Sequence, residues 1–182
     1  FEDMMKPLLQ EAYNQKARWT PSELFSFIGK NLDDEQSILY QAAKNDVPIF
    51  CPAITDGSFG FHLYMFQQNN EDFVIDVVRD FQNVVTAVGH DDKKGVVALG
   101  GSISKHHALL ASLLNGGLDY AVYMTTAKPT SGSMSGATTR EAKSWGKIKD
   151  ESDAATVNGD VTITFPLIMT KVLDTLARED LL

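Results

Sequence analysis

The sequence predicts an α/β fold, an open and mostly parallel sheet flanked by helices. Three observations carry this. Short apolar runs recur from Val47 onward, each run is followed by a turn of small or acidic residues, and each turn leads into a stretch with helical spacing. The preceding residues, 1–46, read as a helical lead-in to the βα units of 47–182.

In order along the chain, Thr20-Pro21-Ser22-Glu23 has the form of a capping box with proline at the first helical position, so a helix is expected from Pro21 through Phe25 and Ile28. A second helix is expected after Asp33 or Asp34, carrying Ile38, Leu39, Ala42 and Ala43. Strands are expected over 48–54, 73–75, 96–99, 120–124 and 161–165, the last entered through Asn158-Gly159-Asp160. Segments 89–94, 129–136 and 149–158 read as flexible.

Ligands of open α/β sheets bind beyond the carboxyl ends of the strands, so the loops after the strands are where function is expected. These loops hold Thr55-Asp56-Gly57-Ser58, Gly100-Gly101-Ser102, Thr125-Thr126-Ala127 and a glycine- and serine-rich stretch over 128–139. Small residues there suit close approach of a phosphate or ribose, and an acid such as Asp56 suits ribose hydroxyls. Gly100-Gly101 is not a GxGxxG fingerprint and serves a tight turn equally well.

The 182 residues are 43% hydrophobic and 22% charged, with 24 acids against 16 bases and a net charge of -8. That balance predicts one compact domain with a real core and lacks the basic stripe of nucleic-acid binders. Cys51 is the only cysteine, which excludes an intrachain disulfide, favours a reducing compartment and assigns the thiol to core packing. No apolar run reaches membrane-spanning length, and the N-terminus lacks the basic and apolar regions of a signal peptide, so a cytoplasmic protein is expected. The opening on Phe1 rather than Met fits a fragment, a processed product or part of a longer chain.

Two groups could carry chemistry. His106 and His107 fall in the first turns of the helix after Gly100-Gly101, where a histidine acts as a base near neutral pH or only caps and packs. Lys147 follows Trp145 by two residues; desolvated against the ring it would be a nucleophile toward a carbonyl or imine, and otherwise it is a solvated charge. Zinc-ligand spacing, a Walker loop, a GxSxG elbow and an EF-hand loop are all absent, and no metal site is expected.

The segments Pro48-Ile49-Phe50-Cys51-Pro52-Ala53-Ile54-Thr55-Asp56-Gly57-Ser58, Leu99-Gly100-Gly101-Ser102-Ile103-Ser104-Lys105-His106-His107, Asp119-Tyr120-Ala121-Val122-Tyr123 and Glu141-Ala142-Lys143-Ser144-Trp145-Gly146-Lys147-Ile148 resemble deoxyhypusine synthase in order and spacing. The resemblance spans nearly the whole chain, which looks like the C-terminal part of a single Rossmann-like, NAD-binding α/β domain. It implies NAD-dependent transfer of the aminobutyl group of spermidine to one lysine of the translation initiation factor 5A precursor, through an imine on an enzyme lysine. By the resemblance Lys147 is that nucleophile and His106 the proton acceptor, while Glu141, Trp145, Gly101, Gly132 and Ser133 contact the substrate. The implied NAD contacts are Asp56, Thr126, Ala127, Asp160 and Val161.

The chain departs from the family pattern where it matters for a polycation. Phe61, Ser131 and Met134 stand where the family has acids, and Leu110 stands where it has a polar amide. Desolvating several ammonium groups without carboxylate partners is costly. Two readings follow: a paralogous subunit of a tetramer completes the site, or this chain is a catalytically impaired regulatory or scaffolding subunit that activates a competent one. A third is a plain NAD-binding module. An N-terminal half of the same polypeptide is expected to stay bound, because a sheet cut in its middle exposes an edge and an apolar face.

Overall fold

A computed structural model describes residues 2–89 and 93–181. They form two compact units, 1–86 and 87–182. Phe1 and much of the expected flexible segment 89–94 lie outside the described residues.

In the first unit, helix α1 (Glu2–Gln15) buries Met5, Leu9 and Ala12, a spacing that places all three on one helical face. Helix α2 (Pro21–Lys30) starts where the capping box predicted: the Glu23 amide donates to the Thr20 hydroxyl at 3.2 Å, and the Glu23 carboxylate accepts from the Thr20 amide at 3.0 Å. Helix α3 (Ile38–Lys44) packs on α2 through Gly29, where a Cβ would lie 2.7 Å from that of Ala43. Helices α4 (Ser58–Gln67) and α5 (Val77–Val88) follow. Strands β1 (Arg18–Trp19) and β2 (Val74–Ile75) form a two-residue parallel pair between them. The core gathers Leu9, Trp19, Leu24, Ile28, Leu63 and Phe73, with the half-buried Cys51 packed against it.

A second polar layer locks α2 to α5. The buried Asp80 carboxylate accepts from the Ser22 amide at 3.3 Å, from the Ser22 hydroxyl, and from the Asn83 amide at 3.2 Å. The first N–H groups of a helix have no partner within it, and an acid placed there also meets the positive end of the helix dipole.

The expected strand over 48–54 does not form. The segment is irregular and then turns, because Pro48 and Pro52 lack the N–H that a ladder needs.

In the second unit, strands β3 (Gly95–Leu99), β4 (Leu118–Thr125) and β5 (Ile148–Asn158) form a parallel sheet in that order. Helices α6 (Ser102–Leu114) and α7 (Thr139–Ser144) supply the crossovers, and Leu109 and Ala142 pack on Ala121, Tyr123 and Ile148. The chain is therefore α/β with parallel sheets flanked by helices, as its sequence predicts.

Two boundaries differ from expectation. Residues 161–165 open helix α8 (Val161–Arg178) instead of forming a strand, since the Asp160 carboxylate caps that helix by accepting from the Thr162 amide at 2.8 Å and hydroxyl at 2.6 Å. The last strand is β5, built largely from the residues that read as flexible. Its pairing pauses: Ile148 faces Leu118, and regular register resumes only with Asp153 opposite Tyr120. The bulged residues between them are held by the Lys143 ammonium, which donates to the carbonyls of Asp150 and Ser152 at 2.8 and 2.7 Å.

Candidate active site

A pocket of 210 Å³ lies in the second unit, walled by α6, β4, the 134–138 turn and α7. Three of the predicted site residues, Glu141, Trp145 and Lys147, line it together. Local geometry fixes them. The Thr138 hydroxyl caps α7 by accepting from the Glu141 amide at 3.2 Å, and Gly146, at φ +69°, turns the chain out of the helix. Lys147 is then held on both sides of its backbone, its N–H donating to the Ala142 carbonyl at 3.0 Å and its C=O accepting from the Leu118 amide at 3.1 Å. Its side chain is half-buried, whereas Trp145 stands 67% exposed at the rim.

The pocket also holds a cation that sequence reasoning missed. Lys105 is only 4% exposed; its ammonium donates to the carbonyl oxygens of Ala137 and Met134 at 2.6 and 3.2 Å and lies 4.1 Å from the centre of the Tyr123 ring. Burial pushes this ammonium below the ordinary lysine value; the Glu141 carboxylate opposes the shift and the Lys147 charge adds to it. The signal was present in the spacing, since Lys105 shares a helical face with Leu109 and Ser112, both buried. Tyr123 is fully buried, its hydroxyl has no partner among the described residues, and burial pushes it up to about 12.

His106 is not part of this pocket. One residue beyond Lys105, it turns to the exposed side of α6, and His107 is half-buried. Gly101 packs against the 134–136 turn, Gly132 adopts the left-handed conformation at φ +67°, and Ser133 pairs its hydroxyl with that of Ser131 at 3.2 Å. The segment 129–136, expected to be flexible, consists of two short 3-10 turns, Pro129–Ser131 and Met134–Gly136.

A second, open groove of 570 Å³ sits at the carboxyl ends of β4 and β5. Thr126, Lys128, Thr130 and Asn158 line it. Ala127 follows Thr126 and donates its amide to the Thr125 hydroxyl at 3.1 Å; Asp160 and Val161 begin α8 just after the groove's Gly159. The Thr162 hydroxyl and amide hold the Asp160 carboxyl below the usual carboxylate range. Asp56 belongs to the first unit, exposed in a turn closed by its amide on the Ala53 carbonyl at 2.9 Å. Phe61 is 59% exposed on α4.

Among the described residues no helix is long and apolar enough to cross a membrane, and no cluster of three or more His, Cys, Asp or Glu side chains could hold a metal ion.

The arrangement therefore joins an amine, a carboxylate and an indole in one apolar pocket, with a polar groove at the strand ends. Comparison with known proteins places it. Deoxyhypusine synthases of Senecio vernalis and Musa acuminata are 42% and 43% identical over 175 and 185 residues, covering 93% and 98% of this chain and 47% and 48% of theirs. A crystal structure from Entamoeba histolytica, described as a deoxyhypusine synthase candidate, superposes with a TM-score of 0.68 at 30% identity, covering 93% of this chain and 52% of that one. The chain thus spans about half the length of the curated relatives it matches. The family model for deoxyhypusine synthase matches residues 1–172, and with that match, the shared fold and the identities above, the chain belongs to the deoxyhypusine synthase family.

Proposed function

We propose that this chain supplies the imine-forming lysine of an NAD-dependent aminobutyl transfer from spermidine to a lysine of the translation initiation factor 5A precursor. The observation that carries the reading is the single pocket lined by Lys147, Glu141 and Trp145. Covalent imine chemistry needs a fixed amine in a partly desolvated site, and the backbone bonds on both sides of Lys147 supply the fixing. The Lys147 amine adds to the imine carbon of the oxidised polyamine, the diamine remainder leaves, and the substrate lysine then displaces Lys147 in the same manner. Glu141 faces the cationic amine of the ligand, Trp145 shelters its alkyl chain at the rim, and His106 takes up a proton from the exposed face of α6. Gly101, Gly132 and Ser133 shape the neighbouring wall.

The groove at the strand ends fits a dinucleotide: the hydroxyls of Thr126 and Thr130 suit ribose oxygens and the Lys128 ammonium suits a pyrophosphate. Thr126, Ala127, Asp160 and Val161 would hold it there, and Asp56 is a further NAD contact that the family resemblance implies. A dinucleotide held there would supply the hydride-transfer chemistry of the reaction. In this reading the protein is a cytoplasmic subunit of a tetramer, working with an N-terminal half of the same polypeptide, as one α/β domain, and with a paralogous subunit.

One observation favours a second reading, that of a catalytically impaired subunit that activates a competent partner. The pocket presents a single carboxylate, Glu141, against two ammonium groups, Lys105 and Lys147, a poor balance for a polycation unless another chain adds acids. Lys147→Ala in this chain alone, within the assembled native complex, decides between them. Loss of deoxyhypusine formation with assembly intact supports catalysis here; unchanged activity supports the regulatory subunit.

A further inference from the structure

Lys105 is an expensive residue to bury. A lysine ammonium removed from water is tolerated only when its donors are met, and here two protein carbonyls and an aromatic face meet them. Both carbonyls belong to the Met134–Ala137 segment, which carries the wall facing Lys147 and Glu141. The same segment is pressed onto α6 at Gly101, where a Cβ would lie 2.5 Å from the Ser135 Cα. It is held to the preceding turn at Gly136, where a Cβ would lie 2.9 Å from the Lys128 carbonyl carbon. Beyond the segment's own turn bonds, Lys105 ties it by two hydrogen bonds to the helix beneath it.

We propose that Lys105 is a positioning residue that clamps the Met134–Ala137 turn onto α6 and so sets the width of the pocket in front of Lys147. It does not act as the nucleophile, because its N–H groups are committed to carbonyls and its burial leaves the tip enclosed. Burial lowers the proton affinity of this ammonium and the Glu141 carboxylate opposes that shift, while the two carbonyls hold the tip in place. The role rests on the reading of the pocket as the imine-forming site, and it adds a specificity consequence: the turn position, set from underneath by Lys105, governs how the polyamine chain fits.

The test uses the assembled native complex carrying Lys105→Met or Lys105→Arg in this chain. Hydrogen exchange reads the clamp directly, through the amides of Gly136 and Ala137, which donate to Ser133 and Met134. With Lys105→Met these amides are expected to exchange about tenfold faster, the change expected for loss of a charge-assisted bond near 1.4 kcal/mol. The KM for spermidine is expected to rise by a similar factor while kcat changes much less, and Lys105→Arg is expected to restore both. Unchanged exchange, or a fall in kcat at constant KM, overturns the clamp. Should Lys105→Met fail to assemble, the wild-type complex suffices: slow exchange at Gly136 and Ala137, comparable to that within α6, supports the clamp, and exchange at open-loop rates refutes it. If the wild-type complex makes no deoxyhypusine, the functional reading fails on its own while the exchange rates still decide the clamp.

Discussion

Gly100 and Gly101 are adjacent, yet each is glycine for a different physical reason, and substitution should separate them. Gly100 sits at φ +82° with open space around its Cα, so an added side chain meets only backbone strain. Gly101 has an extended backbone at φ -174° but faces Ser135, whose Cα, Cβ and Oγ would lie 2.5, 2.8 and 2.9 Å from an added Cβ. Carbon atoms ordinarily meet at about 3.5 to 4 Å, so the turn must retreat from α6 by about 1 Å. Gly100→Ala should cost about 1 to 2 kcal/mol from the left-handed conformation, and Gly100→Asn should recover most of that, because asparagine tolerates it. Gly101→Ala should cost about 1 to 3 kcal/mol by overpacking, and Gly101→Asn more. Urea unfolding of the four variants gives the ordering, and hydrogen exchange over 131–138 should speed only for the Gly101 pair. A neutral Gly101→Ala, or asparagine rescuing at both positions, refutes the reasoning.

Two further outcomes follow from the same geometry. Asp80→Ala removes the charged acceptor shared by the Ser22 amide, the Ser22 hydroxyl and the Asn83 amide, leaving the last two only their longer bonds to neighbouring hydroxyls, and should lower stability by about 3 kcal/mol in urea unfolding, with Asp80→Asn falling between it and wild type. The Asp119 carboxyl is held below the usual carboxylate range by the Lys149 ammonium at 2.7 Å and then by the Lys94 amide. A depressed carboxylate stabilises above its unfolded value near about 3.9 and loses that contribution as pH falls through its folded value, so Asp119→Asn should flatten the loss of stability below pH 4 and lower stability at pH 7.

The parts of the fold that were legible in the sequence are those decided locally. Thr20 to Glu23 announced α2 through side-chain caps, and apolar runs bounded by glycine announced β3 and β4. The misses come from context. Val161-Thr-Ile-Thr-Phe165 is β-branched and reads as strand, but the Asp160 cap makes it the first turn of α8. Residues 149–158 carry Lys149, Asp150, Glu151 and Asp153 and read as loop, yet such charges suit a strand at the edge of a sheet. Pro48 and Pro52 bracket an apolar run that the chain's own strands do not pair. In the pocket, Lys147 stood out by its spacing from Trp145, while Glu141 entered through the family resemblance. Lys105 was passed over although its spacing with Leu109 and Ser112 marks a buried face, since a lysine is presumed solvated until the far turn that covers it is known.

The parallel sheet of the second unit also dictates when the pocket can exist. No strand in it pairs with a neighbour through a hairpin: Gly95 must find Tyr120, and Leu118 must find Ile148, each across an intervening helix. Chain entropy is spent closing those long loops before any pairing rewards it, which makes such topologies slow to assemble. Lys147 is anchored between Ala142 and the first residue of β4, so it takes its place only after α7 has docked and β5 has registered. The site is thus a late product of folding, and a ligand that occupies it would draw the final steps forward by mass action, binding a finished sheet and ignoring an unfinished one.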